Sequence, residues 1–331
     1  MNRLALVVAS LVLYASNSYG ADSAAAARVA HVRIAGQQYL RLGDWAKANG
    51  LELHWVKRDE SVQLTSHAAR VVLTIDSRET QVNGIAVWLS FPVVQNSGVV
   101  YLAQLDADTA LRPLLSPTRD PAGFKISSIC LDPGHGGKDP GYCVGVNQEK
   151  KYTLLLAKEV RQQLERAGFK VTLTRTTDSF IELENRPEIA QRRHADLFVS
   201  VHFNSAETGR DNVQGAQVFC LTPPGASSTN ARGEGGGAGW FAGNRNNNKN
   251  LLLAYEVQQA LVRDLAVEDR GVRRARFAVL RDATMPAVLV EAGFMSHPVE
   301  GKKIFTAAYR QKLAQAIVAG VLTYKRAVEQ R

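Results

Sequence analysis

An α/β fold, a mostly parallel sheet flanked by helices, is predicted for residues 126–327, preceded by a smaller α+β domain over residues 29–115. Three observations predict it. Short apolar runs at 126–131, 197–201 and 287–290 end in glycine-rich or polar turns, as strands buried on both faces do. Helix-period segments alternate with them, the arrangement of βαβ units around a parallel sheet. Ahead of these, strand patterns are joined by close turns, and two prolines and a glycine in 116–123 interrupt every pattern, which marks 116–125 as a linker.

The chain has 331 residues, with 40 Lys+Arg against 31 Asp+Glu and a net charge of +9. That balance favours acidic partners. An arginine-rich arm or an aromatic-plus-basic stripe is not found, so nucleic acid is not expected as a partner. An anionic cell-wall polymer or membrane surface suits the charge as well. Residues 1–20 have the form of a secretory signal: Arg3, an apolar core over 4–14, then Ser18, Tyr19 and Gly20. Export to the periplasm or the extracellular envelope is therefore expected, and it permits disulfides. Three cysteines, Cys130, Cys143 and Cys220, allow one internal bridge at most, and the spacing leaves its pairing open.

In chain order, strands at 29–34 and 51–55 flank a helix at 40–49, which Gly50 closes. Strands follow at 61–65 and 70–75. Asn83-Gly84 between apolar residues predicts a hairpin, since both turn residues must take positive φ. A second helix is expected at 101–111. His31, His54 and His67 have neither metal-ligand spacing nor carboxylate companions, so nothing in this domain assembles chemistry.

Beyond the linker, the helix at 150–167 carries an apolar stripe of Leu156, Val160, Leu164 and Ala167 and ends at Gly168. Strands at 170–174, 216–221 and 277–280 and helices at 187–194, 251–265 and 309–324 complete the pattern. The Gly-, Asn- and Ser-rich stretch 222–250 lacks periodicity and is a candidate lid.

The strand ends carry the chemistry. Glycines flank His135 after the first strand, His202-Phe203-Asn204 ends the second, and Glu291 ends the third, while Glu149 opens the helix after the glycine loop. Ligands of parallel sheets sit at the carboxyl ends of strands, so these residues are expected to meet. Two imidazoles and one carboxylate, His135, His202 and Glu149, suit a catalytic zinc with one open position. Glu291 would then be the catalytic proton-transfer group. The segment GHGGKD lacks the Gly-Lys-Ser/Thr ending of a phosphate-binding loop.

Four segments, ICLDPGHGGKDPG (129–141), QEKKYTLLLAKEV (148–160), RPEIAQRRHADLFVSVHFNS (186–205) and MPAVLVEAGFMSH (285–297), resemble the zinc-dependent N-acetylmuramoyl-L-alanine amidases of the type-3 family. The resemblance implies zinc on His135, Glu149 and His202, Glu291 as catalytic carboxylate, and a site shaped in part by Asn204. It also implies peptidoglycan as substrate and the amide between the N-acetylmuramic acid lactyl group and L-alanine as the bond cut. Another zinc amidohydrolase, such as a peptidase or a deacetylase, and a wall-binding protein without catalysis are the alternatives. Some cell-division members carry an inserted helix that blocks the zinc until an activator protein displaces it. Here 222–250 has one acid, Glu234, and no helical pattern, so no such helix is expected; a protein activator stays a candidate partner. The segments LRLGDWAKANG (40–50) and VNG (82–84) resemble the copper-amine-oxidase-like N-terminal domain, which implies an accessory binding module without copper redox chemistry.

Overall fold

The computed structural model describes residues 29–230 and 239–329; the expected signal segment and Glu234 lie outside the described residues. The first part of the chain runs β1 (His31–Ile34), β2 (Gln37–Arg41), α1 (Leu42–Ala48), β3 (Glu52–Lys57), β4 (Ser61–Thr65), β5 (Arg70–Thr74), β6 (Glu79–Val82), β7 (Ile85–Trp88), β8 (Val94–Asn96) and β9 (Val99–Ala103). A helical stretch follows: α2 (Gln104–Asp106), a π turn (Ala107–Leu111) and α3 (Arg112–Leu115). Strands β1, β2, β9 and β8 form a four-stranded antiparallel sheet. The Asn83-Gly84 turn between β6 and β7 has φ of 49° and 83°, as its sequence requires.

The second part contains β10 (Ser128–Pro133), the small hairpin β11 (Cys143–Val144) and β12 (Asn147–Gln148), α4 (Glu149–Arg166), β13 (Lys170–Leu173), α5 (Asn185–Arg192) and β14 (Leu197–Asn204). It continues with β15 (Ala216–Leu221), α6 (Asn247–Leu265), β16 (Asp269–Ala275), α7 (Ala278–Arg281), β17 (Ala287–Phe294), α8 (Glu300–Ile304) and α9 (Ala307–Val328). Strand β10 pairs in parallel with β13 and β14, and β14 with β17, whereas β15 runs antiparallel to β17.

Alternation along these strands sorts the core into two faces. Ile129, Leu131, Val199, Val201, Val218, Val288 and Val290 pack with α4, α6 and α9. Cys130, Phe198, Phe219 and Leu289 pack on the opposite face with Ala190 of α5 and Val279 and Leu280 of α7. Double burial makes the strand interiors apolar, as at residues 129–131, and all six residues of β10 are buried. His202 and Glu291 share the parity of Phe198 and Leu289. They lie in register beside each other, beyond the end of the α5–α7 core layer.

The sheet does not stop at the second part. β16 pairs in parallel with β7, giving one eleven-stranded sheet in the order β13-β10-β14-β17-β15-β16-β7-β6-β5-β4-β3. Buried and half-buried polar contacts fasten this junction: Tyr255 Oη donates to the Val82 carbonyl at 3.0 Å, Ala86 N to Asp269 Oδ2 at 2.8 Å, and Arg274 Nη2 to the Thr109 carbonyl at 2.6 Å. Residues 116–127 carry no regular element, yet Asp120 is buried and paired with Lys249.

Several expected elements differ. Residues 101–103 end a strand, because Tyr101, Leu102 and Ala103 pair with β2, and the helical stretch begins at Gln104. Residues 40–41 likewise belong to β2, which shortens the expected helix to α1. The expected strand at 277–280 is a helical turn. The strand of that region is β16, whose sequence DRGVRRA hides it among charges. The helix expected at 251–265 begins four residues earlier, in the polar run at Asn247. The three cysteines are free. Cys130 and Cys220 point to opposite faces of the sheet, and Cys143 is exposed on the β11 hairpin.

Candidate metal centre

The loop that follows β10 is fixed from beneath by buried charge. Asp132 accepts hydrogen bonds from Thr174 Oγ1 (2.6 Å), Ser200 Oγ (2.7 Å) and Arg186 Nη1 (2.9 Å). Arg186 also reaches the carbonyls of Pro133 and His135, and Arg175 those of Pro133, Gly134 and Lys150. These contacts hold His135 at φ 61°, a conformation that L-residues rarely adopt.

His135 Nε2 and His202 Nδ1 converge on one oxygen, Glu149 Oε1, at 3.0 and 3.1 Å. Potential ligand atoms of the three residues lie within 4.8 Å of one another. The imidazole rings meet nearly at right angles, centroids 4.9 Å apart. Each group is held by its own device. Phe203 N donates to Glu149 Oε1 at 3.1 Å and Tyr142 N to Oε2 at 3.0 Å. His135 Nδ1 lies 2.8 Å from Asp139 Oδ2. His202 lies flat against Gly134, where a Cβ would come within 2.1 Å of its ring. Glycine is needed at Gly141 too, since a Cβ there would meet both Glu149 and His135 at 2.7 Å.

Burial opposes ionisation of Glu149, but hydrogen bonds from His135 and His202 hold its carboxyl well below the usual carboxylate range. Burial also opposes a charged His135. Contact with Glu149, and then with Asp139, overrides it and pushes the imidazole up to about 9. Glu291 faces the same space. Desolvation pushes its carboxyl up to about 7 against the pull of His202, and its buried Oε2 makes no hydrogen bond among the described residues.

These side chains line a cleft of about 310 Å³. Its polar lining is His135, Glu149, His202, Glu291, Asn204 and Ser205, and its apolar lining includes Leu183, Phe203, Phe277, Val279 and Leu289. The structure thus brings together the four residues singled out in the sequence, with Asn204 beside them. His31, His54 and His67 remain in the first domain. Asp139, Arg175 and Arg186 went unnoticed in the sequence. For Asp139 a signal existed, a carboxylate four residues after a glycine-flanked histidine; the two arginines carry none.

A model of the N-acetylmuramoyl-L-alanine amidase family matches residues 129–323, and one of the copper amine oxidase N-terminal domain matches residues 21–108. The chain is 35% identical over 241 residues to the N-acetylmuramoyl-L-alanine amidase AmiC of Neisseria meningitidis, covering 66% of this chain and 57% of that protein. It therefore spans little more than half the length of that relative. It is 36% identical over 220 residues to AmiA of Escherichia coli, covering 59% of this chain and 75% of that one. Among solved structures, AmiC2 of Nostoc punctiforme superposes with a TM-score of 0.51 at 32% identity, covering 62% of this chain and 99% of that one. The family model spans more than half of the chain and all four gathered side chains lie within it: the chain belongs to the N-acetylmuramoyl-L-alanine amidase family, with a copper-amine-oxidase-like N-terminal domain ahead of the catalytic fold.

Proposed function

We propose that the protein is a zinc-dependent hydrolase of peptidoglycan, cutting the amide between the lactyl group of N-acetylmuramic acid and the L-alanine of the stem peptide. The observation that carries this is the convergence of His135 Nε2, His202 Nδ1 and a Glu149 carboxylate in one cleft beside Glu291. Two imidazoles and one carboxylate are the donor set of catalytic zinc sites, and the unsatisfied Oε2 of Glu291 leaves a buried acceptor for a further group. His135, Glu149 and His202 would hold the ion. When bound, zinc supplies Lewis acidity, polarising a carbonyl and acidifying water.

The chain's own residues supply the rest. The Glu291 carboxylate takes a proton from the attacking water and returns it to the leaving amide nitrogen. Its elevated proton affinity suits a group that must both accept and donate near neutral pH. The apolar lining residues Leu183, Phe277, Val279 and Leu289 thin the water around it and strengthen the electrostatics of the cleft. Asn204 and Ser205, which also line the cleft, offer hydrogen bonds that orient a peptide or an acetamido group.

Export is part of the proposal, supported by the charged start and apolar core of residues 1–20. Among the described residues no helix is long and apolar enough to cross a membrane. The net charge of +9 suits an anionic wall. Digestion of purified sacculi with zinc-loaded protein, followed by mass analysis, tests the reading. Intact stem peptides with a free L-alanine amino terminus are expected. Peptides cut internally, or release of acetate, would instead identify a peptidase or a deacetylase.

A further inference from the structure

We propose that Asp139 is a positioning residue of this centre: its carboxylate fixes the His135 ring so that Nε2, and not Nδ1, is presented to the metal. The inference rests on the zinc reading above.

The two ring nitrogens of His135 face different carboxylates, Nδ1 toward Asp139 Oδ2 at 2.8 Å and Nε2 toward Glu149 Oε1 at 3.0 Å. A carboxylate at Nδ1 keeps the proton there, which leaves the Nε2 lone pair for a cation and makes the imidazole a stronger donor. Asp139 is itself held in place. Its Oδ1 accepts from Gly141 N at 3.0 Å, and its backbone exchanges hydrogen bonds with Gly136 at 2.9 and 3.2 Å. It is not among the residues lining the cleft, and its side chain is 40% exposed, so it acts through His135.

The second imidazole is held otherwise. His202 turns the opposite nitrogen, Nδ1, to Glu149 and is located by packing on Gly134. His135 thus has a second carboxylate at its other nitrogen, whereas His202 has Glu149 and the packing on Gly134, and among the described residues no hydrogen bond to His202 substitutes for a lost Asp139 carboxylate. A purely structural reading of Asp139 assigns it only the closure of the loop through Gly141 N. The isosteric Asp139→Asn variant separates the two roles, since its Oδ1 still accepts that hydrogen bond while the charge on His135 is gone.

Chelator competition gives the zinc dissociation constant of the full-length wild type and of Asp139→Asn and Asp139→Glu, with unfolding midpoints measured on the zinc-free proteins. Outer-shell partners of this kind are worth roughly 10- to 100-fold in metal affinity. Asp139→Asn is expected to bind zinc that much more weakly at an unchanged zinc-free midpoint, and Asp139→Glu to recover part of the loss. Wild-type affinity in Asp139→Asn, or a loss matched by a fall in its zinc-free midpoint, would overturn the role of Asp139 while zinc binding by the wild type still stood. A wild type that takes up no zinc would overturn the zinc reading, and this inference with it.

Discussion

Replacing Gly134 with alanine tests the shape of the centre more severely than removing a ligand does. Gly134 is not among the residues with positive φ, so alanine meets no backbone penalty there. The added methyl would lie 2.1 Å from Cε1, 2.4 Å from Nε2 and 2.6 Å from Nδ1 of His202, whereas ordinary contact begins near 3.4 Å. The backbone has little freedom to yield. Gly134 N donates to the Val201 carbonyl, and the Gly134 carbonyl accepts from Thr153 Oγ1 and Arg175 Nη2. The imidazole must therefore retreat by about 1 Å or more, breaking its 3.1 Å contact with Glu149. Misplacement on that scale costs on the order of 10²-fold in activity, and the overpacking about 1–3 kcal/mol of stability. Zinc retained after dialysis, release of stem peptides from sacculi and the unfolding midpoint report the three effects. Gly43→Ala is the control, since nothing lies within 4 Å of its Cβ position. Wild-type zinc content and activity in Gly134→Ala would refute the placement of His202.

Glu291→Gln is expected to retain zinc and to lose about 10²- to 10⁴-fold in turnover, the range of a general acid–base group; turnover within a few-fold of wild type would remove Glu291 from the chemistry. Glu256 on α6 offers a pH test of stability, because burial pushes its carboxyl up to about 7 despite Arg326 and Arg263. The folded state binds that proton more tightly than the unfolded chain, so the penalty is full above pH 7 and fades as the pH falls toward 4.5. Glu256→Gln should accordingly stabilise by about 2–3 kcal/mol at pH 8.5 and by almost nothing at pH 4.5, read from denaturant midpoints; a gain that does not change with pH would contradict the assignment. Removing residues 29–115 should leave the β16 edge without its partner strand and Arg274 Nη2 without the Thr109 carbonyl, so the remainder is expected to aggregate or to melt well below the full chain. A monomeric remainder with an unchanged midpoint would show that the continuous sheet contributes little.

Much of the centre was legible in the sequence because double burial writes the middles of strands such as Ser128–Pro133 and the start of Ala287–Phe294 as apolar runs, and their carboxyl ends point to a common edge. β16 was not legible. Its Arg274 is fully buried, but the carbonyl that takes its shortest hydrogen bond belongs to Thr109, 165 positions away, and no local pattern announces such a partner. The same holds for Arg186, whose fully buried guanidinium answers Asp132 across 54 positions. Residues 277–280 look like a strand because a single apolar helical turn and a short strand share one composition. The joining of the two sheets through β7 was hidden for a related reason: one parallel bridge, Val87 to Val272, needs no residue that a strand in a separate domain would lack.

In the proposed centre, three side chains from distant parts of the chain hold a single divalent ion. Anomalous diffraction from crystals of the zinc-loaded protein, collected on both sides of the zinc edge, measures this directly. One peak is expected, in the space bounded by His135 Nε2, His202 Nδ1 and the Glu149 carboxylate, with Glu291 facing it. A peak elsewhere, or none at this position in fully loaded crystals, would show that these three side chains do not form the metal centre.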